Sequence, residues 1–165
     1  MKLYHGSTMQ VKHPNLDKCR DNTDFGKGFY TTTNLEQASK WAILKMNRAN
    51  AQHAIVSIFE IRDDLLDSTL YNIRHFDGAT KNWLEFVANN RRGIETELFD
   101  LVLGPVANDS LYATLSLYEQ NILTAEAAIE QLKTHKLFNQ LSFHSKNAMI
   151  ELKHLESTII NTENK

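Results

Sequence analysis

One cysteine, two prolines and six glycines are spread over 165 residues, and each scarcity removes a class of explanation. A lone Cys19 forbids an internal disulfide and cannot anchor a tetrahedral zinc site. The seven histidines include no pair at i and i+4, so no metal is assigned. No linker, low-complexity tract or internal repeat breaks the chain. Charge of one sign is missing too: 18 basic against 20 acidic residues leave a net −2 and no global footprint for nucleic acid. No run approaches the ~20 apolar residues of a membrane span, and the first residues carry no apolar signal core. A cytoplasmic protein without membrane attachment is expected. Its 42% hydrophobic and 23% charged residues predict a single globular domain with a substantial core.

What is present alternates in short stretches. Residues 2–5 read as a strand, 29–32 as a second, aromatic and β-branched one, and 54–61 as a third rich in Ile, Val and Phe. Residues 13–23 are polar, contain Pro14 and read as a loop. Asn34 is placed to cap a helix over 35–47, with Gln37 at the capping-box position and Leu35, Ala38, Trp41 and Ala42 as its apolar stripe. Residues 80–91 predict a second helix, with Trp83, Phe86 and Val87 on one face. Residues 124–133 predict a third, with Thr124 as cap and Glu126 suited to the N-terminal dipole. Residues 99–103 read as a strand stopped by Gly104 and Pro105, 140–144 as a later one, and 146–156 as a closing helix with Ala148, Leu152 and Leu155 inward. Without regular βαβ alternation, the expected class is α+β, with split mixed or antiparallel sheets flanked by helices. The domain is expected over residues 1–157, and 158–165 as a frayed tail.

Two motifs carry the chemistry: YHGS at residues 4–7 and DFGKGFYTT at 24–32. An edge-strand histidine followed by glycine offers an imidazole for a ribose hydroxyl beside a bare backbone for a flat amide. A glycine-flanked turn then delivers an aromatic side chain to the same cleft, since only a residue without Cβ lets backbone approach a ring so closely. Three other readings of these letters fail. Asp24, Phe25 and Gly26 spell the kinase metal-binding tripeptide, but only 23 residues precede them, too few for the lobe and catalytic loop that come first in kinases. Gly26, Lys27 and Gly28 lack the G-x-x-x-x-G-K-[ST] spacing of a phosphate loop. They also lack the strand-to-helix placement of a dinucleotide fingerprint.

Together the motifs resemble the diphtheria-toxin-like ADP-ribosyltransferases, the branch that includes the poly(ADP-ribose) polymerases. The resemblance implies NAD as co-substrate. It implies that His5 holds a hydroxyl of the adenosine ribose, that the Gly6 backbone grips the nicotinamide carboxamide, and that Ser7 adjoins it. Tyr30 would form one face of a nicotinamide sandwich, and Trp41, eleven residues on, the other. The serine that often binds the carboxamide in that family falls at Ala38, with Ser39 beside it. The family's third catalytic element, a glutamate opening a late strand, falls at Gln140. A neutral amide still orients the ribose. Charge-assisted hydrogen bonds are roughly twice as strong as neutral ones, so stabilisation of developing positive charge weakens. His5, Tyr30 and Gln140 are the implied catalytic set, with single transfer rather than polymer growth as the implied outcome. Arg20, just before the glycine turn, is a candidate for the NAD diphosphate, with an exposed loop arginine as the alternative.

The chain is also similar to a small bacterial family with the features YHGS, DFGKGFYTT, W-L-x-F-V and G-P-V-A-[ND]-D, here at residues 4–7, 24–32, 83–87 and 104–109. That similarity implies a toxin-type effector with an antitoxin protein as partner. The expected function is mono-ADP-ribosyl transfer from NAD to a macromolecular acceptor, protein or nucleic acid. Two alternatives stay open: a non-catalytic NAD or ADP-ribose-binding module, and an NAD glycohydrolase. Asn108 and Asp109 are candidates for meeting the acceptor or for a simple Asx turn. Asn90, Arg91 and Arg92 close a helix whose C-terminal dipole accounts for their charge.

Overall fold

The apolar segments assemble into one seven-stranded mixed sheet with five helices among the described residues. The computed structural model describes residues 1–94, 97–105, 109–133 and 138–161, without the side chains of 109–112. Asn108 therefore lies outside the described residues, as does the side chain of Asp109. The strands are β1 (Lys2–Ser7), β2 (Phe29–Thr32), β3 (Ala54–Glu60), β4 (Ile73–His75), β5 (Leu101–Pro105), β6 (Asn139–Phe143) and β7 (Lys153–Ile160). The helices are α1 (Leu35–Ala49), α2 (Lys81–Arg91), α3 (Asp109–Glu119), α4 (Ala125–Lys133) and α5 (Lys146–Met149). The sheet order is β4-β5-β6-β2-β1-β3-β7, with β4 and β5 parallel and the other neighbours antiparallel. The sheet is continuous where split sheets were expected. Its central joint is nonetheless thin. β1 pairs with β3 along its whole length but meets β2 at a single register pair, Tyr4 opposite Thr32.

Strand side chains alternate between faces. Leu3, Phe29, Phe59, Leu141 and Phe143 build a core on one face with Leu65, Met149 and Leu152. On the other face, α2, α3 and α4 pack Trp83, Leu84, Leu115 and Leu132 against Val102 and Phe25. Ala38 and Ala42 of α1 cover Ala54 and Val56 on a third cluster.

Local signals explain much of this. Asn34 Oδ1 accepts from Gln37 N at 2.9 Å and starts α1, while the Gln37 side chain accepts from Thr32 Oγ1 at 2.7 Å instead of closing a capping box. Thr80 and Thr124 cap α2 and α4. Four expectations are corrected. Leu35 and Trp41 are exposed, so only Ala38 and Ala42 of the α1 stripe are buried. Gly104 and Pro105 continue β5 instead of stopping it. α3 and β4 had no counterpart in the sequence reading. The closing helix lasts four residues, and the chain then turns into β7, with Thr158, Ile159 and Ile160 paired to Val56, Ile55 and Ala54. The open edge of β3 and three β-branched residues outweigh the helical spacing of Ala148, Leu152 and Leu155, and residues 158–160 are strand, not frayed tail. No helix among the described residues is long and apolar enough to cross a membrane.

Candidate functional site

The thin joint between β1 and β2 gathers most of the motif residues. Two residues beyond the Tyr4–Thr32 pair, Gly6 would stand opposite Tyr30, but no ladder pairing forms there. Side chains take over instead. His5 Nδ1–H donates to the Tyr30 carbonyl at 2.6 Å, and Lys45 Nζ on α1 donates to the Gly6 carbonyl at 2.9 Å. His5 stacks on Phe29 with ring centroids 4.3 Å apart. Burial, reinforced by the Lys45 charge and opposed by the bond to Tyr30, pushes its pKa down to about 3. The ring is neutral at ordinary pH, and with Nδ1 donating, Nε2 carries an acceptor lone pair. Gly6 is required here for a packing reason as well. A Cβ would lie 2.2 Å from the Ala38 carbonyl oxygen and 2.9 Å from Ala42 N, so α1 rests on bare backbone. Ser7 ends β1 opposite Ile55, on the face that carries His5.

The glycine turn fixes Tyr30. Gly26 takes φ +84°, a region that favours glycine. The Tyr30 hydroxyl donates to the Gly26 carbonyl at 2.7 Å and accepts from Phe25 N at 2.9 Å, with the Thr23 hydroxyl 2.8 Å away. Burial raises its pKa far above the usual tyrosine range. The ring stays half-buried, with His144 edge-on at 6.1 Å. His144 is itself clamped: Nδ1–H donates to the Lys27 carbonyl at 2.9 Å and Nε2 accepts from Ser142 Oγ at 2.7 Å. Burial lowers its pKa. Beneath the turn, Asp24 is 3.9 Å from Arg91, whose Nε is 3.1 Å from Glu119. Arg91 therefore does more than complement a helix dipole, because it ties the turn to the ends of α2 and α3. Arg92 donates to the Glu119 carbonyl, and Asn90 packs against Gly26.

The other expected residues fall at different depths. Gln140 is buried on β6 between Thr32 and Gly104, and its Nε2 has no hydrogen-bond partner among the described residues. Register puts Tyr4, Thr32 and Gln140 in one cross-strand row on the face of Tyr30, whereas His5 belongs to the opposite face and meets Tyr30 through its carbonyl. Trp41 is 39% exposed, with Lys45 and Arg48 at 5.7 and 5.9 Å from its ring. It makes no ring contact with Tyr30 among the described pairs, and Ser39 bonds back to Leu35 of its own helix. Arg20 is exposed, and its charge acts on Lys45. The chain as a whole matches one family model, over residues 1–154.

It belongs to the family described as protein of unknown function, DUF3990. No curated protein and no solved structure matches it. The family match contains every residue of the joint. Within it, Lys45 and His144 were missed by sequence reasoning. Lys45 stands four residues after Trp41, the helical spacing that places two side chains together. His144 had no such signal, because its role depends on Gly28 approaching it across the sheet: a Cβ there would lie 2.7 Å from its ring. Two clefts lie elsewhere. One of about 520 Å³ runs between Lys12–Asp17 and α5, and one of about 390 Å³ lies beside Met1, Arg62 and Glu151. The loop after β1 crosses the face of His5, anchored by Val11 N donating at 3.0 Å to Ser57, the register partner of His5.

Proposed function

We propose that this protein binds NAD at the β1–β2 joint and transfers a single ADP-ribosyl group to a macromolecular acceptor. The observation that carries the reading is the unpaired stretch of joint itself: Gly6 and Tyr30 pair with β3 and β6 but not with each other, and the carbonyl of each is held by one side chain. Backbone groups of this kind suit a flat carboxamide. The neutral His5 ring offers an acceptor for a ribose hydroxyl, and the uncommitted Gln140 amide offers a donor. A buried donor without a partner costs about 1–3 kcal/mol, a cost that a ribose hydroxyl brought against it in the transition state would remove. Trp41 and the half-buried Tyr30 supply aromatic faces, which favours the stacking that the motif resemblance implies.

NAD would supply the ADP-ribosyl group: its glycosidic bond breaks with the electron pair going to nicotinamide, the acceptor's nucleophilic atom bonds to the freed ribose carbon, and the acceptor's proton passes to solvent. The protein's part is orientation: Gln140, on the Tyr30 face, for a hydroxyl of the nicotinamide ribose, Gly6 for the amide, and His5, on the opposite face, for a hydroxyl of the adenosine ribose. No carboxylate assists at Gln140, so the acceptor brings its own nucleophilicity. Labelled NAD in a cell lysate, followed by nuclease and protease digestion of labelled product, tests the reading. Label on a macromolecule, reduced at least ~10-fold in Gln140→Ala with NAD affinity kept, is expected. The neutral amide at Gln140 also favours a second reading, a module that grips NAD without turnover. Absent cleavage by wild type, gained in Gln140→Glu, would establish that second reading in place of the first.

A further inference from the structure

Lys45 is unusual for a half-buried lysine, because no carboxylate accompanies it among the described residues. Lysine is seldom buried without an ionic partner. Its ammonium spends one of three donors on the Gly6 carbonyl and lies over the Trp41 ring. The groups whose charges act on it are Arg20, which repels it, and Cys19, while its own charge acts on His5. Neither Lys45 nor Arg20 forms an ion pair with a carboxylate among the described residues. Arg48 lies 5.9 Å from the same Trp41 ring, but the site proposed below does not draw on it. In a chain of net charge −2, Lys45 and Arg20 are a local concentration of positive charge. Lys45 lies one residue before the last turn of α1, and its ammonium is bonded to the Gly6 carbonyl on β1.

We propose that Lys45 and Arg20 form an anion site at the mouth of the β1–β2 joint that takes a phosphate of a diphosphate ligand. A lysine ammonium binds phosphate as a point charge, and a guanidinium as a planar fork. The choice of a dinucleotide as ligand rests on the NAD reading above, but the anion site does not. Burial, with Arg20 adding to it, lowers the Lys45 pKa to about 8. A bound phosphate opposes that shift, so affinity for phosphate is greatest below about 8 and declines as Lys45 loses its proton.

The test is calorimetric titration of the whole protein with ADP-ribose, inorganic pyrophosphate and nicotinamide, below and above the Lys45 transition. Lys45→Met is expected to weaken ADP-ribose and pyrophosphate at least ~10-fold, equivalent to ~1.4 kcal/mol. Nicotinamide should be weakened less than either phosphate compound, since Lys45 acts on it only through the Gly6 carbonyl. Lys45→Arg should keep most of the affinity and lose its decline at high pH. A folded Lys45→Met with wild-type affinity for ADP-ribose overturns the proposal, as does a wild type that binds neither phosphate compound. If Lys45→Met does not fold, a pH-independent wild-type affinity overturns it and a decline absent from Lys45→Arg upholds it. Pyrophosphate binding that needs Lys45, without any nicotinamide or NAD binding, would uphold the anion site and remove the NAD reading.

Discussion

Gly6→Ala is the sharpest perturbation of the joint, because it separates what glycine does for the fold from what it does for a ligand. The new Cβ would lie 2.2 Å from the Ala38 oxygen and 2.9 Å from Ala42 N, where contacts under 3.0 Å are not tolerated. Both clashing atoms are backbone, so no rotamer change relieves them. α1 must withdraw from β1, loosening Ala38 and Ala42 from Val56 and lengthening the Lys45 bond to Gly6. Overpacking of this kind costs ~1–3 kcal/mol, more where backbone has to move. For a chain of this size each kcal/mol lowers Tm by roughly 2–4 °C. Urea denaturation should show a lower midpoint at unchanged slope. The companion Ala38→Gly should not rescue the variant, since trimming a side chain leaves the Ala38 carbonyl in place. A Gly6→Ala protein with the wild-type midpoint, or rescue by Ala38→Gly, would refute the close approach of α1 to β1.

Tyr30→Phe keeps the ring but leaves the Phe25 N–H without its partner, while the Gly26 carbonyl keeps the Thr23 hydroxyl. It should cost about 1–3 kcal/mol by denaturation while retaining ligand affinity, whereas Tyr30→Ala should lose both. Gln140→Leu removes a buried donor that has no partner, so thermal unfolding should show equal or greater stability with NAD cleavage lost. Arg91→Ala strips Asp24 and Glu119 of a shared, mostly buried counter-ion and should destabilise by about 3 kcal/mol in urea. His5 resists the proton that the unfolded chain accepts, so stability should fall as pH drops from about 6.5 towards 3, and His5→Gln should flatten that slope in parallel urea series.

Sequence legibility followed how local each signal was. α2 and α4 could be read because Thr80 and Thr124 announce them within a few residues. β1 and β2 could be read because YHGS and DFGKGFYTT combine β-branched and aromatic residues with glycine punctuation. β7 was misread because the deciding partner, the open edge of β3, lies about a hundred residues away. Gly6 was read for ligand contact alone, while its packing against Ala38 depends on tertiary approach. Asp24 looked like part of a ligand motif and turns out to anchor the turn through Arg91. The anion-site candidate Lys45 was hidden because a lysine on a helix reads as a solvated charge, and only the fold reveals that it reaches Gly6 with no carboxylate beside it among the described residues.

The central claim, that NAD occupies the β1–β2 joint, is tested most directly by backbone amide shifts on titration with NAD. The account predicts saturable shifts at His5, Gly6, Tyr30, Trp41, Lys45 and Gln140, with the cleft between Lys12–Asp17 and α5 unmoved. Saturating NAD that leaves the joint amides in place, or that moves only those of the cleft between Lys12–Asp17 and α5, would contradict it.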